Sequence, residues 1–139
     1  MATTRRASTV WDGSLLEGGG QVTLESSGIG TYPVSWPARS AEPNGVTSPE
    51  ELIAAAHASC FSMALSGALS KSGTPPTRLT VSAEVDFQPG TGITGIRLTV
   101  SGDVPGLDAG AFRTAAEAAK AGCPVSRALS AVPITLTVQ

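Results

Sequence analysis

The segment from Ser48 to Gly73, SPEELIAAAHASCFSMALSGALSKSG, restricts the possible folds more than any other stretch. It opens with a helix start signal: Ser48 as N-cap, Pro49 at N1 and Glu51 at N3 to complete a capping box. The helix is predicted to run to about Ser72 and to stop at Gly73, before Pro75 and Pro76. It is apolar or small nearly all round, so it is expected to be buried rather than to lie on a surface. A domain built on such a helix needs sheet or further helix to cover it.

The flanking sequence supplies that cover. RASTVW, QVTLES and TYPVSW, residues 6–11, 21–26 and 31–36, read as short strands, with the turn-rich DGSLLEGGG after the first. Residues 37–47, PARSAEPNGVT, read as a loop. RLTVSAEVDF and GIRLTVSGDV alternate at period two around QPGTGIT and read as a hairpin. A second helix is predicted from Asp108 as N-cap to Ala121, ended by Gly122. Cys123 then caps a short helix from Pro124, and PITLTVQ is a last strand. Strands, helix, hairpin, helix and strand make an α+β pattern with antiparallel sheets around long helices. The 139 residues fit one domain, 1–139.

Composition excludes several functions. Charged residues are 14% and the net charge is −2, so nucleic acid and anionic lipid are not attracted. Three Phe, two Trp and one Tyr make a poor stacking platform. MATTRRASTVW has no apolar run after its arginines and is not expected to be a signal peptide. No uncharged apolar stretch is expected to span a membrane; the longest, Leu52 to Leu69, carries His57. A cytoplasmic protein is expected, and two cysteines there are more often reduced and reactive than structural.

The cysteines pose the chemical question. Cys60 sits mid-helix, where apolar surroundings raise a thiol pKa, so reactivity requires a cation from elsewhere. His57 is one turn earlier on the same face, and Arg39 is the best remaining cation. The plain alternative for Cys60 is a small core residue, and for His57 a satisfied buried imidazole. Cys123 lies at a helix start, where dipole and free amides favour a thiolate, so local physics makes it the more acidic thiol. Its alternative role is that of a simple cap. The wide separation of the two excludes a CxxC motif, and one His with two Cys is a poor zinc site. A hydrolase is disfavoured, since no acid is placed to orient His57. Glu50 has no capping task. It precedes Cys60 by ten residues, about 15 Å along a helix, so the two cannot touch within one helix. Two antiparallel copies crossing near Ala54-Ala55-Ala56 would bring them together, although that Ala run fits packing inside one chain equally well.

TSPEELIAAAHASCFSMAL and AKAGCPVSRAL resemble the two cysteine motifs of the OsmC/Ohr family of thiol-dependent peroxidases, and CFSMAL with His57 resembles the OsmC branch. The resemblance extends to VWDG, the loop with Arg39, the hairpin and VPGLDAGAF, which is most of the chain. It implies an OsmC-like fold, an intertwined homodimer and two composite interface sites. It implies a peroxidatic Cys60, a resolving Cys123, Arg39 pairing with the Cys60 thiolate and Glu50 holding Arg39. Hydroperoxides, organic ones preferred, are the implied substrates. An external dithiol such as dihydrolipoamide is the implied reductant, with no metal, haem or flavin. Stress defence is the implied role; the alternative is a redox sensor on the same fold with slow turnover. Leu52, Ile53, Phe61 and Met63 are candidates for an apolar substrate wall.

Overall fold

The computed structural model describes residues 1–139, which form two compact units, 1–50 and 51–139. In the first, β1 (Ser8–Asp12), β2 (Gly19–Thr23) and β3 (Thr31–Val34) form an antiparallel sheet in the order β1-β2-β3. Val10 faces Gln21 and Val22 faces Tyr32 across its ladders. The three expected strands are present with shifted ends. Residues 37–47 are not all loop. The segment forms a short helix at its start, α1 (Trp36–Ser40). Ser35 caps it, its hydroxyl accepting from the Ala38 amide at 3.2 Å, and Pro37 occupies the first turn. Thr47 returns beside Val34 in an isolated parallel bridge. Val22 is this unit's one buried apolar side chain, while Val10, Leu16 and Ile29 are 66%, 68% and 71% exposed.

The second unit is built on α2 (Pro49–Lys71), whose 23 residues match the sequence expectation. Gly73, at φ 83°, closes it: the Thr74 amide bonds the Leu69 carbonyl at 2.9 Å and the Gly73 amide bonds that of Ser70 at 3.1 Å. This Schellman pairing needs a left-handed residue, which glycine supplies without strain. β4 (Arg78–Gln88) and β5 (Gly92–Asp103) form the expected hairpin, with a tighter turn at Pro89, Gly90 and Thr91. α3 (Ala109–Gly122) starts as expected, with Asp108 Oδ1 accepting from the Ala111 amide at 2.8 Å. α4 (Pro124–Ala128) follows, then β6 (Ile134–Val138).

The sheet order is β4-β5-β6, and β5 pairs with β6 in parallel. Antiparallel pairing therefore holds for three of the ladders and not for this one. The α3–α4 connection returns the chain to the starting end of β5, as a parallel neighbour requires.

The core of this unit lies between sheet and helices. Phe61, Leu65 and Leu69 of α2 pack with Leu98 and Val100 of β5, Phe112, Ala116 and Ala119 of α3, and Cys123. Along β5, Ile96, Leu98 and Val100 are buried, while Arg97 on the opposite face pairs with Glu84 and Asp86. A Cβ at Gly102 would fall 2.7 Å from the Phe112 ring, so glycine permits this close contact. Phe61→Ala is expected to lower stability by about 3–5 kcal/mol, read as a lower urea midpoint at unchanged m. A loss under about 1 kcal/mol would mean that the layer does not depend on this ring.

Two expectations for α2 are corrected. Its inward side is a narrow stripe at four-residue spacing, His57, Phe61, Leu65 and Leu69, because sheet and α3 cover that side alone. Ala55, Ala56, Gly67 and Ala68 are exposed, and Met63 is 73% exposed. The helix is also long and apolar enough to cross a membrane by length and composition, with mean hydropathy 1.5 over an 18-residue window. Its buried stripe is packed as protein core.

Candidate active site

The two cysteines, far apart in sequence, meet in the second unit. Cys60 is half-buried against the core, one residue before the fully buried Phe61. Cys123 stands at the junction of α3 and α4. Its φ of −57° and ψ of 125° break the helical path, while its amide still bonds the Ala119 carbonyl at 2.8 Å and its carbonyl accepts from Arg127 at 3.0 Å. Cys123 has no solvent exposure. Both thiols are free and lie within hydrogen-bonding reach of each other.

Their environments push them apart electrostatically. Burial raises the Cys60 pKa, and the hydrogen bond to Cys123 raises it further, against an opposing pull from the Val125 amide. Burial alone would raise Cys123 as well. The pull of the Cys60 thiol, the Ser126 amide and hydroxyl, and the Val125 amide outweighs it and leaves Cys123 below the ordinary thiol value. The sequence expectation that Cys123 is the more acidic thiol is therefore met. The expected cap is not formed: the Cys123 side chain makes no capping bond, and the amides at the start of α4 act on its sulfur as dipoles and contacts.

Sequence reasoning missed Ser126. It is 6% exposed, and its Oγ lies 2.7 Å from Nε2 of the fully buried His57. The imidazole is therefore half satisfied, since its Nδ1 has no hydrogen-bond partner. The available signal was a hydroxyl three residues after Cys123, at the spacing by which a helix-start residue meets its first turn.

Arg39 and Glu50 form a built pair in the first unit. Arg39 Nε lies 3.0 and 3.1 Å from the two Glu50 carboxylate oxygens, and Nη2 lies 2.9 Å from Oε1. The Glu50 side chain is 8% exposed and that of Arg39 is 32% exposed. A two-pronged contact of this kind fixes the guanidinium plane. Of the four wall candidates, Phe61 is sealed in the core and cannot line a pocket. No three His, Cys, Asp or Glu side chains gather into a metal-sized cluster.

Two free thiols in contact, one acidic and buried, one reachable from solvent, are the site of a two-cysteine redox protein. The family model for OsmC-like protein matches residues 42–138, and the chain belongs to that family. It is 42% identical over 142 residues to the peroxiredoxin OsmC of Escherichia coli K12, covering 100% of this chain and 98% of that protein. Identity and coverage are the same for the peroxiredoxin OsmC of Shigella flexneri. Among solved structures, an organic hydroperoxide resistance protein OsmC from Legionella pneumophila superposes with a TM-score of 0.78 at 24% identity, covering 100% of this chain and 98% of that one. The organic hydroperoxide resistance protein OhrB of Bacillus subtilis superposes with a TM-score of 0.75 at 24% identity, covering 96% and 98%. These two likenesses establish the OsmC-like α+β fold.

Proposed function

We propose that this chain is a thiol-dependent peroxidase that reduces hydroperoxides, organic ones preferentially, with Cys60 as the attacking thiol and Cys123 as the resolving one. The observation that carries this reading is the contact of two free thiols in a chain 42% identical, end to end, to a peroxiredoxin. Exposure supports the division of roles. A peroxide reaches the partly exposed Cys60, whereas Cys123 has no exposed surface.

The Cys60 thiolate attacks the terminal peroxide oxygen, the O–O bond breaks, and the alkoxide leaves as alcohol after taking a proton. Cys60 becomes a sulfenic acid. The Cys123 thiolate attacks the Cys60 sulfur, the S–O bond breaks, and hydroxide leaves as water after protonation. An external dithiol such as dihydrolipoamide restores both thiols by exchange. A cytoplasmic setting suits the cycle, because thiols are kept reduced there.

Cys60 needs a cation, since its surroundings within the second unit raise its pKa. In our reading Arg39 supplies it, oriented by Glu50, in a composite site of a homodimer. The exposed Ala55, Ala56 and Met63 on an apolar helix support a second copy as the cover. Two antiparallel copies of α2 crossing near Ala55 bring Glu50 of one close to Cys60 of the other. The guanidinium fork would stabilise both thiolate and leaving oxygen.

Intact mass of the reduced protein after one equivalent of cumene hydroperoxide tests the reading. A loss of about 2 Da, reversed by dihydrolipoamide, is expected for one closed disulfide. An unchanged mass would return Cys60 to the role of a core residue. Closure without sustained turnover would favour a sensor.

A further inference from the structure

His57 is the polar member of an otherwise apolar stripe. It has no solvent exposure, yet the two-cysteine cycle assigns it no task. It ties the cysteine-bearing elements together, because it stands on α2 one turn before Cys60 and bonds Ser126, which lies on α4 three residues after Cys123. Ser126 stands one turn after Cys123, and its amide and hydroxyl are among the groups that pull the Cys123 thiol down. His57 Nε2, Ser126 Oγ and the Cys123 turn thus stand in series between α2 and α4.

The proton inventory sets the direction of this path. A serine hydroxyl has one proton. If that proton points at the Cys123 sulfur, the oxygen must accept from His57, so the imidazole carries its proton on Nε2. Nδ1 is then a bare lone pair, which fits its lack of a partner; a buried acceptor is more tolerable unpaired than a buried N–H. Burial lowers the His57 pKa and keeps the ring neutral, so the donor does not bring a buried charge with it.

We propose that His57 and Ser126 are positioning residues for the resolving step: the His57 Nε2–H holds the Ser126 hydroxyl, and that hydroxyl holds the Cys123 sulfur as a thiolate aimed at Cys60. The inference rests on the peroxidase reading and assigns to it two residues outside the Cys60, Cys123, Arg39 and Glu50 set. In the resolving step the Cys123 electron pair forms the S–S bond, the Cys60 S–O bond breaks, and hydroxide departs and takes a proton from solvent. The relay neither gains nor loses a proton. It acts by favouring the thiolate before attack, and a disulfide sulfur, being neutral, draws the hydroxyl less strongly afterwards.

The test is the partition of Cys60 sulfenic acid between disulfide and trapping by dimedone, per mole of cumene hydroperoxide consumed. The wild type, Ser126→Ala, Ser126→Thr and His57→Phe are compared. One lost hydrogen bond to a charged sulfur predicts closure slowed about tenfold in Ser126→Ala, with dimedone adduct accumulating. Ser126→Thr keeps the hydroxyl and is expected to restore closure. His57→Phe fills the same buried site without the donor and is expected to resemble Ser126→Ala. Closure at the wild-type rate in Ser126→Ala would overturn the relay. So would slow closure shared equally by Ser126→Ala and Ser126→Thr, since packing alone would then account for it. A wild type that consumes peroxide and closes normally beside an unaffected alanine variant removes the relay only. A wild type that consumes no peroxide removes the peroxidase reading and the relay with it.

Discussion

Cys60→Ser is expected to lower peroxide reduction at least about a thousandfold, whereas Cys123→Ser is expected to consume one equivalent and then stall. A serine hydroxyl is far less nucleophilic than a thiolate, so the first variant has no group to attack the O–O bond. Cys123 cannot substitute readily, despite being the more acidic thiol, because it has no solvent exposure. In the second variant Cys60 still reacts, but no resolving thiol follows. Its sulfenic acid should persist as a gain of about 16 Da and move to about 32 Da with excess peroxide, as sulfinic acid forms. Stopped-flow peroxide consumption and intact mass read both outcomes. Sustained turnover of Cys123→Ser with a dithiol would remove the resolving role. Peroxide consumption by Cys60→Ser at a comparable rate would exchange the two assignments.

The direction of the contrast between the thiols was legible in the sequence from local features, although the mutual effect of Cys60 and Cys123 adds to it. Cys60 lies within an apolar helix and Cys123 at a helix start, and their opposite pKa directions agree with those placements. The long helix was equally legible, since Pro49 and Gly73 mark its ends. What escaped depends on contacts distant in sequence. Thiol contact requires α3 to deliver Cys123 beside the middle of α2, and spacing alone does not determine that. The Ser126 contact carries no signal of its own in the sequence, because its partner His57 lies 69 residues away. The parallel β5–β6 pairing was open to inference, since a strand followed by helices and a neighbouring strand implies a crossover. The α1 helix lies where 37–47 reads as loop, although Ser35 followed by Pro37 is also a helix start. The all-round apolar character of α2 signalled burial, but one chain buries only its stripe.

Arg39→Ala is expected to slow peroxide reduction about a hundredfold to a thousandfold, the scale of losing one aligned charge-stabilising donor. In our reading the loss is chemical, yet the Glu50 contact adds a structural effect. The Glu50 side chain is 8% exposed and takes three contacts from Arg39 Nε and Nη2. Removing the arginine leaves a buried carboxylate without this partner, at about 2–3 kcal/mol after allowance for the part-exposed guanidinium. Arg39→Ala alone thus mixes two causes. Arg39→Ala with Glu50→Gln separates them, because the buried charge is removed together with its partner. Urea unfolding of the double variant is expected to recover most of the lost stability, while kcat/KM for cumene hydroperoxide stays low. Arg39→Lys keeps the charge without the planar fork and should fall between wild type and alanine in activity. If the double variant regained activity along with stability, Arg39 would be a partner of Glu50 and nothing more, and the cation that activates Cys60 would have to be sought elsewhere.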